Sequence, residues 1–354
     1  MRGLDLSAAF YREVVGPIVA AAFPGLEYAA ALIGSGSEVL GFDDEMSQDH
    51  DFGPRMFLLL RSDDAGLRER VHARLDQSLP ATFGGFAVDF PESRLSERFG
   101  NNGRVRSHRV YPVALDVFLS THFGPASGNP WDSIDWLTVS SQSLREFTAG
   151  AVFHDGPREL TAWRERLAWY PHDVWLYLLA AGWQRIREEE HLWQRAGSLG
   201  DELGAGILTG RLVREVMRLC FLMERVYAPY PKWIGRAFRD LDGASQLAPL
   251  LHGALFHSDW AAREDSLLHA FEVLAEQHNR LGVTPVIPSS VSPFMDRPFP
   301  VIHGSRFVHA LIESIGDQGV RRLADQCLIG SVDQWSDSTN ILGVERSRRR
   351  ALYG

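Results

Sequence analysis

The chain has 354 residues, 45% of them hydrophobic and 23% charged, with a formal net charge of −9. That composition excludes a disordered or collagen-like chain and predicts about two domains. The acidic balance argues against a nucleic acid as main partner. Two cysteines, Cys220 and Cys327, are too few for a disulfide framework or a cysteine-based zinc site.

From the N-terminus, Leu6–Ala22 reads as an amphipathic helix. It carries Asp5, Arg12, Glu13 and Pro17 where an export signal would be apolar. The longest apolar run, Val14–Phe23, is broken by Gly16 and Pro17 and is too short to span a bilayer. The expectation is a cytoplasmic protein with no membrane association. Tyr28–Ile33 reads as a short strand ending in Gly34-Ser35-Gly36-Ser37, and Phe52–Leu60 as a second strand. Asp63–Leu79 has a helical pattern with Asp63 and Asp64 as caps. Phe86–Phe90 and the long run Val105–Leu119 read as further strands. Gly124–Pro130 is loop chemistry.

Beyond it the period becomes helical. Trp175, Leu178, Leu179, Trp183, Ile186 and Trp193 share one stripe, with Pro171 as a helix start. A second helix runs from about Asp201 to Tyr227, and shorter helices follow at Trp233–Leu241, Gln246–His257, Trp260–Leu281 and Arg306–Ile315. The expected fold class is α/β plus α: a mixed sheet with helices over residues 1–125, a connecting segment over 126–160, and a helical bundle over 161–354.

The chemistry concentrates in the segment GSGSEVLGFDDEMSQDHD. A strand ends in Gly34-Ser35, thirteen residues intervene, and Asp49 and Asp51 follow two apart. If a strand begins at Asp49, its period of two puts both carboxylates on one face. Asp116 lies in VALDVFLS, where a buried carboxylate costs several kcal/mol unless it is paired or metal-bound. Three carboxylates opposite a Gly-Ser turn suit hard divalent cations and phosphate. Taken singly, the turn, the Asp pair and Asp116 each have an ordinary structural explanation: a strand-to-helix turn, a helix cap, and an ion pair with Arg104 or Arg109.

The combination Leu32-Ile33-Gly34-Ser35, Asp49-His50-Asp51 and Asp116 resembles the DNA polymerase beta-like nucleotidyltransferase superfamily. The helical remainder is similar in arrangement to the antibiotic (aminoglycoside-type) nucleotidyltransferases. The resemblance implies a nucleotidyltransferase-type mixed sheet, two Mg²⁺ ions, an NTP co-substrate and a small-molecule acceptor. It implies transfer of a nucleoside monophosphate with release of pyrophosphate. Asp49 and Asp51 would bind both metals and Asp116 one, with Gly34 and Ser35 holding phosphates. His50 departs from the family pattern, where a hydrophobic residue is usual, and the acidic spacer (Glu38, Asp43, Asp44, Glu45) leaves open which carboxylates bind metal.

Further candidates come from the helical part. Glu190 and Glu224 fall on inward faces, where an acid is either paired or functional. Glu190 is the candidate general base for the acceptor hydroxyl, against a structural ion pair. Lys232 is the only lysine among 36 basic residues, and could place a point charge on the β- or γ-phosphate, against an ordinary surface lysine. A second class of reading is a regulatory or antitoxin-like protein that binds nucleotide, or an enzyme that modifies a protein or an RNA end.

Overall fold

The computed structural model describes residues 2–44, 46, 52–61, 65–91, 106–124, 130–338 and 350–353. The chain forms two compact units, one of residues 1–130 and 143–168, the other of 131–142 and 169–354. The connecting segment expected at 126–160 is therefore not a linker. Its first helix belongs to the second unit, and its second helix and a strand belong to the first.

In the first unit, α1 (Gly3–Phe10) continues through a π turn at Tyr11–Val15 into α2 (Gly16–Ala22). Pro17 has no amide to donate, and the helix accommodates it with the wider turn instead of ending. The strands are β1 (Tyr28–Leu32), β2 (Arg55–Leu60), β3 (Thr82–Phe83), β4 (Phe86–Ala87), β5 (Asp89–Pro91), β6 (Arg106–Ala114) and β7 (Ala151–Asp155). The helices are α3 (Ala65–Ser78), α4 (Leu115–Phe123), α6 (Ser141–Thr148) and α7 (Glu159–Arg166). The main sheet has the order β5-β6-β2-β1-β7. Its β2–β6 pair is parallel, and β5–β6, β2–β1 and β1–β7 are antiparallel.

The sheet is covered on both faces, which explains the unbroken apolar run Met56–Leu60. Met56, Leu58, Leu60 and Val110 pack against Phe10, Val15, Val19, Val71 and Leu75 of the helices on one side. On the other, Phe57 meets Phe118 of α4 edge-on at 4.8 Å, and Phe118 leads on to Phe147 of α6.

The run Val105–Leu119 is not one strand. It turns into helix at Leu115, after Ala114 as an extended N-cap. Leu115, Phe118 and Leu119 are buried, the i, i+3, i+4 spacing of a helix face.

The second unit is helical. It holds α5 (Ser133–Thr138), α8 (His172–Glu189), α9 (Leu192–Ser198), α10 (Glu202–Met223), α11 (Pro231–Phe238), α12 (Ala244–Phe256) and α13 (Trp260–Arg280). The short pair β8 (Ser292–Pro293) and β9 (Pro300–Val301) precedes α14 (Gly304–Ser314), α15 (Gln318–Gln326) and α16 (Val332–Trp335). The central helix is α8, buried on almost every side, with Trp183 stacked on Phe307 of α14 at 3.9 Å. Asp201 caps α10 through the Gly204 amide. Among the described residues no helix is long and apolar enough to cross a membrane.

Candidate functional site

Antiparallel pairing sets the end of β1 beside the start of β2, with Ala31 opposite Phe57. The chain leaves β1 through Ile33 and turns at Gly34, whose φ of +86° favours glycine. The Gly34 amide donates to Glu146 O at 2.9 Å, so it is committed within the protein. Among the described residues no acceptor takes the amides of Ser35, Gly36 and Ser37. Ser35 is exposed. Successive free amides of this kind form an anion-binding concavity. Gly34 supplies the turn, and its amide is not available to a phosphate oxygen.

Arg55, buried at the first position of β2, braces this turn. Its guanidinium donates to Glu38 Oε1 at 2.7 Å and to Ser35 O at 2.6 Å. Gly36 has a φ of +146°, and a Cβ there would stand 2.2 Å from Arg55 Nη2 and 2.5 Å from Glu38 Oε2. The position admits only glycine. Two acids of the spacer thus have structural partners: Glu38 is in the buried ion pair, and Asp43 accepts the Gly3 amide at 3.0 Å.

Asp49 and Asp51 lie outside the described residues. The strand expected over Phe52–Leu60 runs from Arg55 to Leu60. Asp116 is described, and the expectation for it does not hold. It is exposed in the first turn of α4 and accepts the Val117 amide. It stands two residues past Ala114, which pairs with Leu60, which in turn pairs with Tyr28. Asp116 therefore follows the Tyr28 end of the sheet, and the Gly34–Ser37 turn follows the Leu32 end. Five residues of strand separate those ends, roughly 13 Å. The structure does not bring Asp116 to the turn.

The helical candidates also resolve into structure. Glu190 is the C-cap of α8 and only 3% exposed. Its Oε1 accepts the Gly304 amide at 3.2 Å, at the start of α14, and among the described residues the buried Oε2 has no hydrogen-bond partner. Burial pushes its carboxyl up to about 7. A carboxyl enclosed in this way, holding a helix N-terminus, does not reach an acceptor hydroxyl. Glu224 accepts the amides of Asp242 and Gly243 at 2.8 Å each. Lys232 is exposed on the first turn of α11, its ammonium 4.7 Å from the centre of the Trp233 ring.

Sequence reasoning missed a small pocket of about 70 Å³ in the helical unit. Trp169, Tyr170, Phe221, Tyr227 and Tyr230 line it, with Arg214 and Arg218 of α10 on its wall. The rings interlock: Trp169 lies 4.9 Å from Tyr227, and Tyr170 meets Tyr227 edge-on at 5.1 Å. Among the described residues Trp169 Nε1 is buried with no hydrogen-bond partner. The lining of the pocket is mainly apolar. The aromatic clustering around WYP and YAPYP was the only trace of it in the sequence.

Residues 136–234 match the model of a family described as a domain of unknown function, DUF4037. No curated protein matches the chain significantly. A nucleotidyltransferase-like protein from Exiguobacterium sibiricum 255-15 is similar in structure over 90% of this chain and 91% of that one. The identity is 13% and the TM-score 0.34, a likeness too distant to fix an activity. The DUF4037 stretch carries most of the aromatic lining of the pocket.

Proposed function

We propose that the chain is a Mg²⁺-dependent nucleotidyltransferase that moves a nucleoside monophosphate from an NTP to a hydroxyl of a small molecule. One observation carries this reading. Three amides without acceptors among the described residues stand at the end of β1, and β2, which Asp49-His50-Asp51 precedes in sequence, starts beside them. Ser35, Gly36 and Ser37 would hold phosphate oxygens, and Asp49 and Asp51 would hold the metal, a hard oxygen donor set. Bound Mg²⁺ supplies charge neutralisation for the triphosphate and the leaving group. The acceptor oxygen bonds to the α-phosphorus as the bond to the bridging oxygen breaks. The hydroxyl proton passes to a base, and pyrophosphate leaves with the electron pair. Glu190 and Lys232 have no part in this step.

The experiment is incubation with each labelled NTP, Mg²⁺ and a cell extract, with mass spectrometry of the labelled product. Asp49→Asn and Asp51→Asn should each abolish Mg²⁺-dependent pyrophosphate release with the melting temperature nearly unchanged. Asp116→Asn should retain it. Turnover surviving in both Asp49→Asn and Asp51→Asn refutes the reading. The position of Asp116 also favours a second reading, a protein that binds a magnesium nucleotide without transferring it. Nucleotide binding with no pyrophosphate release from any NTP selects that one.

A further inference from the structure

A second cluster of donors lies elsewhere in the first unit, and the transfer reaction does not use it. His72 and Asp76 are one turn apart on α3, and His108 is on β6. One ligand atom from each lies within 4.8 Å of the other two. His72 Nδ1 is 3.3 Å from Asp76 Oδ2, and His108 Nε2 is 3.5 Å from Asp76 Oδ1. Two donors bonded to one tetrahedral Zn²⁺ lie about 3.3–3.5 Å apart, given bonds of about 2.0–2.2 Å. The imidazoles stand side by side at 4.4 Å, so their nitrogens converge on one carboxylate.

The geometry points to a binding site for one borderline transition-metal ion of the Zn²⁺ class, held by His72, Asp76 and His108. The donor set decides the class of metal. Two imidazoles and one carboxylate suit Zn²⁺ and its neighbours, and Mg²⁺ prefers oxygen alone. Position separates this ion from the nucleotide-bound Mg²⁺. Successive side chains of β6 point to opposite faces. His108 therefore shares the α3 face with Val110, the face opposite Phe57.

The site has an entry path. His108 is buried, His72 is half-buried and Asp76 is open to solvent. Three protein ligands leave a fourth position for water. In the structure His108 Nδ1 accepts the Val110 amide at 3.2 Å, which puts the ring proton on Nε2. Loading moves that proton to Nδ1. It gives up the Val110 amide bond and the 3.5 Å contact of Nε2 with His72 O, losses weighed against three metal–ligand bonds. The bound ion ties α3 to β6.

The test uses the full chain, stripped with EDTA, dialysed against Zn²⁺ and assayed for bound metal with no nucleotide present. One Zn²⁺ per chain should remain, Co²⁺ in its place should give the intense visible absorption of a tetrahedral site, and Zn²⁺ should raise the melting temperature. Asp76→Asn and His72→Asn should weaken Zn²⁺ binding by more than the roughly 10–100-fold that losing an outer partner of a ligand costs. The control is His269→Asn. His269 pairs with Asp265 at the same i, i+4 spacing on α13, without a third ligand among the described residues, and its removal should change nothing. Less than stoichiometric Zn²⁺ after dialysis, or binding that survives Asp76→Asn and His72→Asn, overturns the proposal. Because binding is read without turnover, failure here is distinct from failure of the nucleotidyl transfer.

Discussion

Glu190→Gln separates a structural role for this residue from a catalytic one. The folded chain holds the carboxyl at about 7 because it is buried, against 4.5 in the unfolded chain. A raised value favours the protonated form on folding. Its stabilising contribution is full below pH 4.5, declines as pH rises, and is gone above about 7. At about 1.4 kcal/mol per pH unit the loss amounts to about 3 kcal/mol. Glutamine does not titrate, so the variant lacks this slope. Urea unfolding of both proteins at pH 4.5 and pH 8 measures it. The stability of Glu190→Gln relative to wild type should improve by about 3 kcal/mol between the two. A constant difference refutes the assignment of burial as the cause. Pyrophosphate release should be retained in the variant, and its loss at unchanged stability would restore Glu190 as a base.

Three further predictions concern the turn and its surroundings. Glu38→Gln removes the carboxylate that accepts from the buried Arg55 guanidinium at 2.7 Å, and should destabilise the chain by about 3–5 kcal/mol in urea unfolding. Replacing both partners, Glu38→Gln with Arg55→Met, should recover part of that loss, since no uncompensated charge then remains buried. Gly36→Ala forces a Cβ against Arg55 and Glu38 at a positive φ. It should lower stability by at least about 1–3 kcal/mol and weaken nucleotide binding, read by calorimetry. Lys232→Met should leave pyrophosphate release and NTP affinity unchanged, because the ammonium lies over Trp233 in the exposed first turn of α11.

Where the sequence carried a strong local period, it was sufficient. The stripe of Trp175, Leu179, Trp183 and Ile186 gave α8, and the cap at Asp201 gave the start of α10. The turn after β1 was legible too, since glycines at Gly34 and Gly36 mark a backbone that side chains resist. Local pattern failed at Val105–Leu119, where an unbroken apolar run reads equally as buried strand or helix. It failed again at β7, a short strand inside the expected linker that completes the sheet.

What the amino acids determined alone was the class of each long element and the order of chemistry-bearing residues along the chain. Only the tertiary structure decided which of them meet. The parallel register of β2 and β6 carries Asp116 away from the Gly34 turn. Packing turns Glu38, Asp43 and Glu190 into partners of Arg55, Gly3 and Gly304. It also draws His72, Asp76 and His108 together from a helix and a strand. Strand register and helix docking are set by side chains far apart in sequence, so a reading of neighbours cannot foresee which carboxylates are left free.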